Sequence, residues 1–376
     1  MMLDSKNFGP ASYANWKAFD QKEKLKAIVE FPIFTDARIT GEAIEGYGPY
    51  KFLNAVPVDN RPGLLKPSIV LRAEYYLDND LPPMKETDTS NYHGGWYPDE
   101  IAALTSLCLG IRAKAGSASR RFDNDDQLGR PQAYSSQSEP SMSLGKRLLV
   151  LPNVVGAHSL NKLDALKLLP RLSCDEAIGV IRAARLYQDA LWISESEPSL
   201  SWVMLVSAIE AGANIWDKGD DSPVSKLKKS KPELYDFLIN SGGNEVAERV
   251  SDEIVHTLGA TNKFVKFILE FLPEPPEVRP PEWAQVKWSR KSMRAALSKI
   301  YEYRSNALHG GVPFPAPMCA GDMIGDDCMA EKPTGQAYAT LGAVWMAEDT
   351  PMLLHVFEHI GRGALINWLN SMQSND

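Results

Sequence analysis

The sequence has few cysteines and no long apolar run. Its four cysteines, Cys108, Cys174, Cys319 and Cys328, are too thinly spread over 376 residues for a disulfide framework and suit a reducing compartment. The best apolar stretches, 148–157 and 202–213, fall short of the roughly 20 residues that a membrane helix needs. The first 17 residues are polar where a secretory signal needs a continuous apolar segment. We therefore expect a cytoplasmic protein without a membrane span.

Positive charge is also scarce. The chain has 40 Lys and Arg residues against 48 Asp and Glu residues, which gives a formal net charge of −8. A broad grip on nucleic acid requires many cations that neutralise phosphates, so the composition argues against such a surface. A local basic patch is still compatible with this balance.

Two enzyme signatures are incomplete. The stretch His93-Gly94-Gly95-Trp96 has the composition of an esterase oxyanion loop, but the chain lacks the Gly-x-Ser-x-Gly elbow of those enzymes. Gly361-Arg-Gly363 lacks the third glycine and the preceding strand of a dinucleotide-binding fingerprint. A turn is the better interpretation of the first stretch, and the second indicates no nucleotide site.

The length of 376 residues favours two domains. The first, 1–170, is expected to be an α+β domain, with strand-like runs and one helix that begins near Pro98. A segment rich in Ser, Gln, Asp and Arg, at about 115–143, is expected to be a surface insertion. The expected strands are 27–34, 50–56, 69–77 and 146–151. Nothing in the sequence predicts the role of this domain.

Helical periodicity dominates from 175 to 372, where we expect an all-α bundle of four or five helices. Asp175 and Pro198 stand where helix starts would place them. Five prolines between Pro273 and Pro281 predict a stiff, extended connection. The expected helical segments are 178–192, 202–213, 224–239, 244–258, 261–272, 284–308 and 351–370.

The helix expected at 284–308 combines an apolar stripe with a basic row. Its apolar positions recur every three or four residues and should pack into the bundle. The stripe comprises Met293, Ala296, Ile300, Tyr303 and Ala307. The adjoining face carries Lys287, Arg290, Lys291 and Arg294 and continues through Leu297 and Tyr301 to Arg304. This row is the local basic patch that the net charge conceals.

Arg304 is followed five positions later by His309, and then by Gly310, Gly311 and Pro313, which stop the helix. On an unbroken helix, five residues rotate one side chain by roughly 140° from the other, so the two would not converge. Either the helix end redirects the imidazole, or two copies of the motif meet across a dimer. A histidine can exchange a proton with a ribose 2′-hydroxyl or a leaving 5′-oxygen, and an arginine fork can hold the phosphate.

The stretch Tyr301-Glu-Tyr-Arg304-Ser-Asn-Ala-Leu-His309-Gly-Gly resembles the signature of HEPN domains, in which an Arg precedes a His by a short spacer, and is most similar to the ApeA-like branch. The segment 202–212, which contains Glu210, is similar to the second helix of that branch. Many members have Asn, Asp or His directly after the Arg, where this chain has Ser305.

The resemblance implies a homodimeric, metal-independent endoribonuclease, often part of a phage-defence or toxin system with a neutralising or activating partner. Arg304 and His309 would be the catalytic pair, with Asn306 as a polar helper. RNA would be the substrate and no cofactor is expected. The substrate-binding candidates are Lys287, Arg290, Lys291, Arg294 and Tyr301.

Two other functions compete with this one. The helical domain could dimerise or bind nucleic acid without cleaving it. Alternatively, His355-Val-Phe-Glu358-His359 matches the His-x-x-Glu-His arrangement of one metallopeptidase class, whose two histidines hold zinc. Cys319 and Cys328, with the acidic residues Asp322, Asp326 and Asp327 nearby, match no familiar zinc spacing, so an ordinary loop is expected there.

Overall fold

The computed structural model describes residues 9–55, 64–77, 87, 92, 94–123, 126–132, 139–142, 149–217, 222–254, 259–324 and 328–372. Its α-helices are α1 (Ala11–Asp20), α2 (Tyr97–Leu109), α3 (Cys174–Ile193), α4 (Pro198–Trp216), α5 (Pro223–Ser230), α6 (Pro232–Ile254), α7 (Ala260–Glu270), α8 (Arg290–Gly310) and α9 (Leu354–Ser371). Its strands are β1 (Ala27–Thr35), β2 (Arg38–Thr40), β3 (Tyr50–Asn54), β4 (Lys66–Tyr75), β5 (Lys114–Ala115), β6 (Arg120–Phe122), β7 (Arg130–Pro131), β8 (Ala157–Ser159), β9 (Met323–Ile324), β10 (Cys328–Met329), β11 (Ala337–Ala339) and β12 (Val344–Met346).

The N-terminal region is built on an antiparallel sheet in the order β3-β4-β1-β6-β7, with β5 beside β1. Phe31 pairs with Leu71 and Ile33 with Ile69, and all four side chains are buried. Helix α2 packs against this face, where the Tyr97 ring lies edge-on to Phe31 at 5.4 Å. Because alternate strand residues point to one face, a single helix can cover the apolar side. The expected α+β character of the N-terminal region is confirmed.

Three details of this region differ from the expectations. Helix α1 was not expected. It is held both by polar contacts with distant residues, such as the hydrogen bond from Asn15 Nδ2 to the Glu74 carbonyl oxygen at 2.8 Å, and by Trp16, which is buried in the core. The segment 115–143 is not wholly an insertion, because β6 pairs with β1 and β7 pairs with β6. Residues 149–151 do not form a strand, and the rest of the strand expected at 146–151 lies outside the described residues.

The C-terminal region is helical, as expected, and the part that the structure describes contains seven α-helices. Helices α3, α4, α7, α8 and α9 share the core, whereas α5 and α6 pack mainly on each other and stay largely exposed. Trp202 is fully buried, with its ring stacked between Phe314 at 5.2 Å and Phe357 at 4.8 Å. The arrangement of a HEPN bundle in particular stays a prediction.

One apolar core runs through both regions, including the sheet, α2 and the helices of the C-terminal region. Helix α2 packs against α3 across the expected domain boundary. The boundary between 170 and 175 thus separates two kinds of secondary structure within a shared core. Among the described residues, no helix has the length and apolar character needed to cross a membrane.

Candidate functional site

Arg304 and His309 border the same cleft, which has a volume of about 1000 Å³. Four helices contribute to its lining: α4, α5, α7 and α8. From α8 come Tyr301, Arg304, Ser305 and His309, and from α4 come Glu210, Ala213 and Asn214. The packing of these helices therefore brings the sequence-predicted pair to one concave surface.

Helix α8 stays regular through the motif. It ends at Gly310, and Gly311 caps it with a φ of +65°, a left-handed conformation that glycine adopts without a Cβ clash. The helix continues past His309 to Gly310, so the end of the helix does not alter the backbone at His309. The alternative, in which two copies of the motif meet across a dimer, stays a prediction. Tyr301 and Ser305 lie between Arg304 and His309 on the helical surface, so the pair marks the two edges of a face roughly 140° wide.

Glu210 of α4 holds the guanidinium of Arg304. The Arg304 Nη2 group donates to Glu210 Oε2, and the Tyr301 hydroxyl donates to Glu210 Oε1 at 2.7 Å. The guanidinium also lies over the Tyr301 ring, with its central carbon 5.6 Å from the ring centroid. Burial and the hydrogen bond with Glu210 raise the pKa of Tyr301, so its hydroxyl stays a proton donor. One carboxylate thus orients two side chains of the cleft.

Arg304 keeps donors that this contact does not use. Among the described residues, Glu210 bonds Nη2 of Arg304 and no other nitrogen of that side chain. The Nε of Arg304 has no hydrogen-bond partner there but is itself buried, so the donors left for a ligand are those of Nη1 and Nη2. A guanidinium has five N–H donors in a fixed fork. His309 is exposed, and its ring makes no hydrogen bond with another described residue. Both side chains can therefore engage a bound anion.

The remaining site candidates lie outside the cleft lining. Lys287 precedes α8, which begins at Arg290 because the Ser289 hydroxyl caps it by accepting from the Ser292 amide. Lys287 is thus not part of a helical row, contrary to the expectation. Lys291 and Arg294 are exposed on α8, and Arg290 Nη1 donates to the Leu269 carbonyl at 2.9 Å, at the end of α7.

Asn306, the expected polar helper, has an exposed side chain that does not line the cleft. Its carbonyl oxygen accepts the amides of Gly311 and Val312 and so closes the C-terminus of α8. The described contacts of Asn306 are those of a helix-ending residue.

Five lysines of the cleft were missed by the sequence analysis. They come from α5, from the residue that follows it, and from α7. These are Lys226, Lys229, Lys231, Lys263 and Lys266. The density of lysine in Ser-Lys-Leu-Lys-Lys-Ser-Lys, residues 225–231, was a signal that could have found three of them. Their proximity to Arg304 depends on packing between distant segments.

The geometry does not support the zinc alternative. Glu358 is buried and accepts a hydrogen bond from the Tyr187 hydroxyl, whereas His359 Nε2 lies 2.9 Å from the Glu274 carbonyl oxygen. Within the described part of the chain, no three His, Cys, Asp or Glu side chains are grouped to hold a metal ion.

The loop of Cys319 and Cys328 also shows no ligand set among the described residues. The Asp322 carboxylate accepts from the Thr334 hydroxyl at 2.7 Å, so it serves a local turn. Asp326 and Asp327 lie outside the described residues. His93, from the stretch compared with an esterase oxyanion loop, also lies outside the described residues. Trp96 of that stretch directly precedes α2.

His355 makes the stability of the fold depend on pH. The pKa of His355 is lowered to about 4, chiefly by burial. The charge of Glu331 opposes this shift, and the charge of His359 adds to it. The unfolded value is about 6.5, so the neutral ring contributes stability that is fully present above that pH and is lost as the pH falls towards 4. We expect the wild type to lose about 2 to 3 kcal/mol more than His355→Leu between pH 6.5 and 4.5.

Urea unfolding of both proteins at the two pH values measures this difference. The comparison with His355→Leu removes the contribution of the other titrating groups, because they are common to both proteins. Equal losses of stability in the two proteins would contradict the assignment to His355.

Comparison of the chain with protein-family models, with curated proteins and with solved structures gives no match. The resemblance to HEPN domains therefore rests on the motif at 301–311 and on the segment 202–212.

Proposed function

We propose that this protein is a metal-independent endoribonuclease of the HEPN type, with Arg304 and His309 as its active pair. The supporting observation is that both side chains border a cleft with six cationic side chains and two carboxylates in its lining. RNA is a polyanion, so an excess of positive charge favours its entry. A homodimer, a cytoplasmic location and a role in phage defence or a toxin system are part of the same proposal.

The proposed reaction is an internal transesterification. His309 accepts the proton of a ribose 2′-hydroxyl, and the resulting oxygen attacks the adjacent phosphorus. The bond from phosphorus to the 5′-oxygen breaks, and the protonated imidazole returns the proton to that leaving oxygen. The products are a 2′,3′-cyclic phosphate and a 5′-hydroxyl. Arg304 donates to the non-bridging oxygens, where negative charge increases in the transition state.

The surroundings of Arg304 fit this role. Glu210 and the Tyr301 ring restrain the guanidinium, while the donors that Glu210 does not use are left for the phosphate. A catalytic group that is oriented before the substrate binds needs little reorganisation in the transition state. The Ser305 hydroxyl borders the cleft between the pair and is a further donor for the scissile phosphate.

A second function, nucleic-acid binding or dimerisation without cleavage, is favoured by the same ion pair. Glu210 already offsets part of the positive charge of Arg304, which weakens its attraction for a phosphate. This alternative predicts stable RNA binding or self-association with no turnover.

The two functions are separated by incubating the full-length protein with a mixed pool of labelled RNAs in EDTA. The endoribonuclease predicts fragments with cyclic phosphate ends, and no cleavage of the same sequences carrying 2′-O-methyl groups, because these lack the nucleophile. Fragments with 3′-hydroxyl ends, or cleavage that requires a divalent metal, would contradict the proposed reaction. Binding without cleavage would favour the alternative.

A further inference from the structure

The cleft has a lysine-rich wall that neither the motif nor the proposed reaction uses. Helix α5 contributes Lys226 and Lys229, Lys231 follows its last residue, and α7 contributes Lys263 and Lys266. The whole chain carries a net charge of −8, so this local concentration of cations is not a consequence of composition. A concave surface with one sign of charge attracts ligands of the opposite sign.

Several of these charges are available to a ligand. The side-chain ammonium groups of Lys226 and Lys231 form no hydrogen bond or ion pair with another described residue. Among the described residues, Lys263 Nζ bonds only neutral oxygens, those of the Asn214 side chain at 3.4 Å and the Asp217 carbonyl at 3.0 Å. Lys266 is 3.8 Å from the Asp217 carboxylate, at the outer limit of an ion pair.

The first turn of α7 adds to the positive character of this wall. Its residues Ala260, Thr261 and Asn262 line the cleft, and Gly259, the residue at the N-cap, supplies no side chain that could bond their amides. The first amides of a helix lack partners within the helix and carry partial positive charge. The lysines and the backbone therefore favour the same kind of ligand.

The size and the lining of the cleft narrow the class of ligand. A volume of about 1000 Å³ is small beside a duplex, which RNA-binding domains contact over about 16 base pairs, so a short single strand fits better. The aromatic residues of the lining, Phe264 and Tyr301, are buried and offer no exposed ring on which a base could stack. Contacts should therefore be made to the phosphates and not to particular bases.

We propose that the α5–α7 wall binds the phosphate backbone of a single-stranded RNA segment next to the phosphate held by Arg304. The identity of this ligand rests on the proposed function. The wall provides affinity and places the strand, whereas Arg304 and His309 act on the scissile bond. Binding is independent of base sequence and weakens with salt, with a slope of about 0.7 per phosphate contact.

The test measures binding of the full-length protein to a fluorescent 2′-O-methyl oligonucleotide, which cannot be cleaved through its 2′ position. The variant Lys226→Gln/Lys231→Gln is compared with Lys228→Gln, a control on the same helix that removes one charge outside the cleft. Lys228 is an exposed residue of α5 that is absent from the cleft lining and lies over the Tyr235 ring. We expect the Kd of the double variant to rise about tenfold at low salt, with a salt slope smaller by about 1.4, and no change in the control.

Equal affinity and an equal salt slope in the two variants would overturn the proposal, as would equally tight binding of an RNA duplex. With cleavable RNA, we expect the double variant to raise KM about tenfold and to leave kcat unchanged. A wild type that binds through these lysines and never cleaves would support the wall and refute the endoribonuclease. If the wild type cleaves RNA and both variants have the same KM as the wild type, the result would support the endoribonuclease and refute RNA binding by the α5–α7 wall.

Discussion

Replacement of Arg112 with Met is expected to lower the free energy of unfolding by about 3 to 5 kcal/mol. The Arg112 side chain is fully buried and pairs with Asp36 at 2.5 Å and with Glu195 at 2.7 Å. Its Nε also donates to the Leu191 carbonyl at 2.9 Å. Met fills much of the same volume but leaves two buried carboxylates without their cation. Burial already raises the pKa of Asp36, an effect that Arg112 partly offsets.

This cluster also joins the two regions of the chain. Asp36 follows β1, Arg112 follows α2 and Glu195 follows α3, so the ion pairs bridge the sheet and the helical region. Glu195 further accepts the amides of Val150 and Leu151 at 3.0 and 3.3 Å. The loss of Arg112 should therefore destabilise the whole described core and not one region alone.

Chemical denaturation of Arg112→Met beside Arg121→Met checks this prediction. Arg121 has a side chain that is 53% exposed and pairs with Asp123 at 3.4 Å, so its replacement should cost less than about 1 kcal/mol. If the denaturant concentration at the unfolding midpoint were the same for Arg112→Met and Arg121→Met, the buried ion pairs would not stabilise the fold. Replacing all three charged residues with apolar ones should restore much of the loss, because no buried charge is then left alone.

Replacement of His309 with Ala is expected to lower kcat by about 10²- to 10⁴-fold, the contribution typical of a general acid or base. His309 is exposed, so the free energy of unfolding of the variant should lie within about 0.5 kcal/mol of that of the wild type. Arg304→Ala should lower kcat by about 10²- to 10³-fold, since it removes the donor to the charge of the transition state. It also leaves Glu210 without its partner, so some loss of stability accompanies it.

Two further variants make this prediction specific. Arg304→Lys keeps the positive charge but loses the planar fork of N–H donors of the guanidinium, so we expect most of the activity to be lost. Glu302→Ala is the control on the same helix, because Glu302 is exposed and does not line the cleft. Its only described ion pair is with Lys299. Single-turnover rates on labelled RNA in EDTA measure all of them. Full activity in His309→Ala, in a preparation free of other nucleases, would rule out His309 as the acid or base.

The helices of the C-terminal region were predictable because their signals are local. The Pro198 start of α4 and the Gly311 cap of α8 lie within one turn of the residues that they order. The apolar periodicity of α8 likewise places Met293 and Ile300 in the core. The start of α8 was misplaced by six residues, because the amide of Val286 bonds the Glu331 carboxylate at 2.6 Å, a contact between distant positions.

The sequence by itself indicated strands near β1, β3 and β4, the helical C-terminal region and the candidate pair Arg304 and His309, because periodicity, capping and motif spacing act over a few residues. Only the tertiary structure decided what surrounds that pair. Glu210 and Lys226 lie roughly 80 to 95 positions before Arg304 and reach the cleft through packing between helices. The ion pairs of buried Arg112 could not be predicted either, because its partners come from two separate segments, one at the end of β1 and one at the end of α3. Contacts of this kind depend on how apolar faces pack, and no local pattern records them.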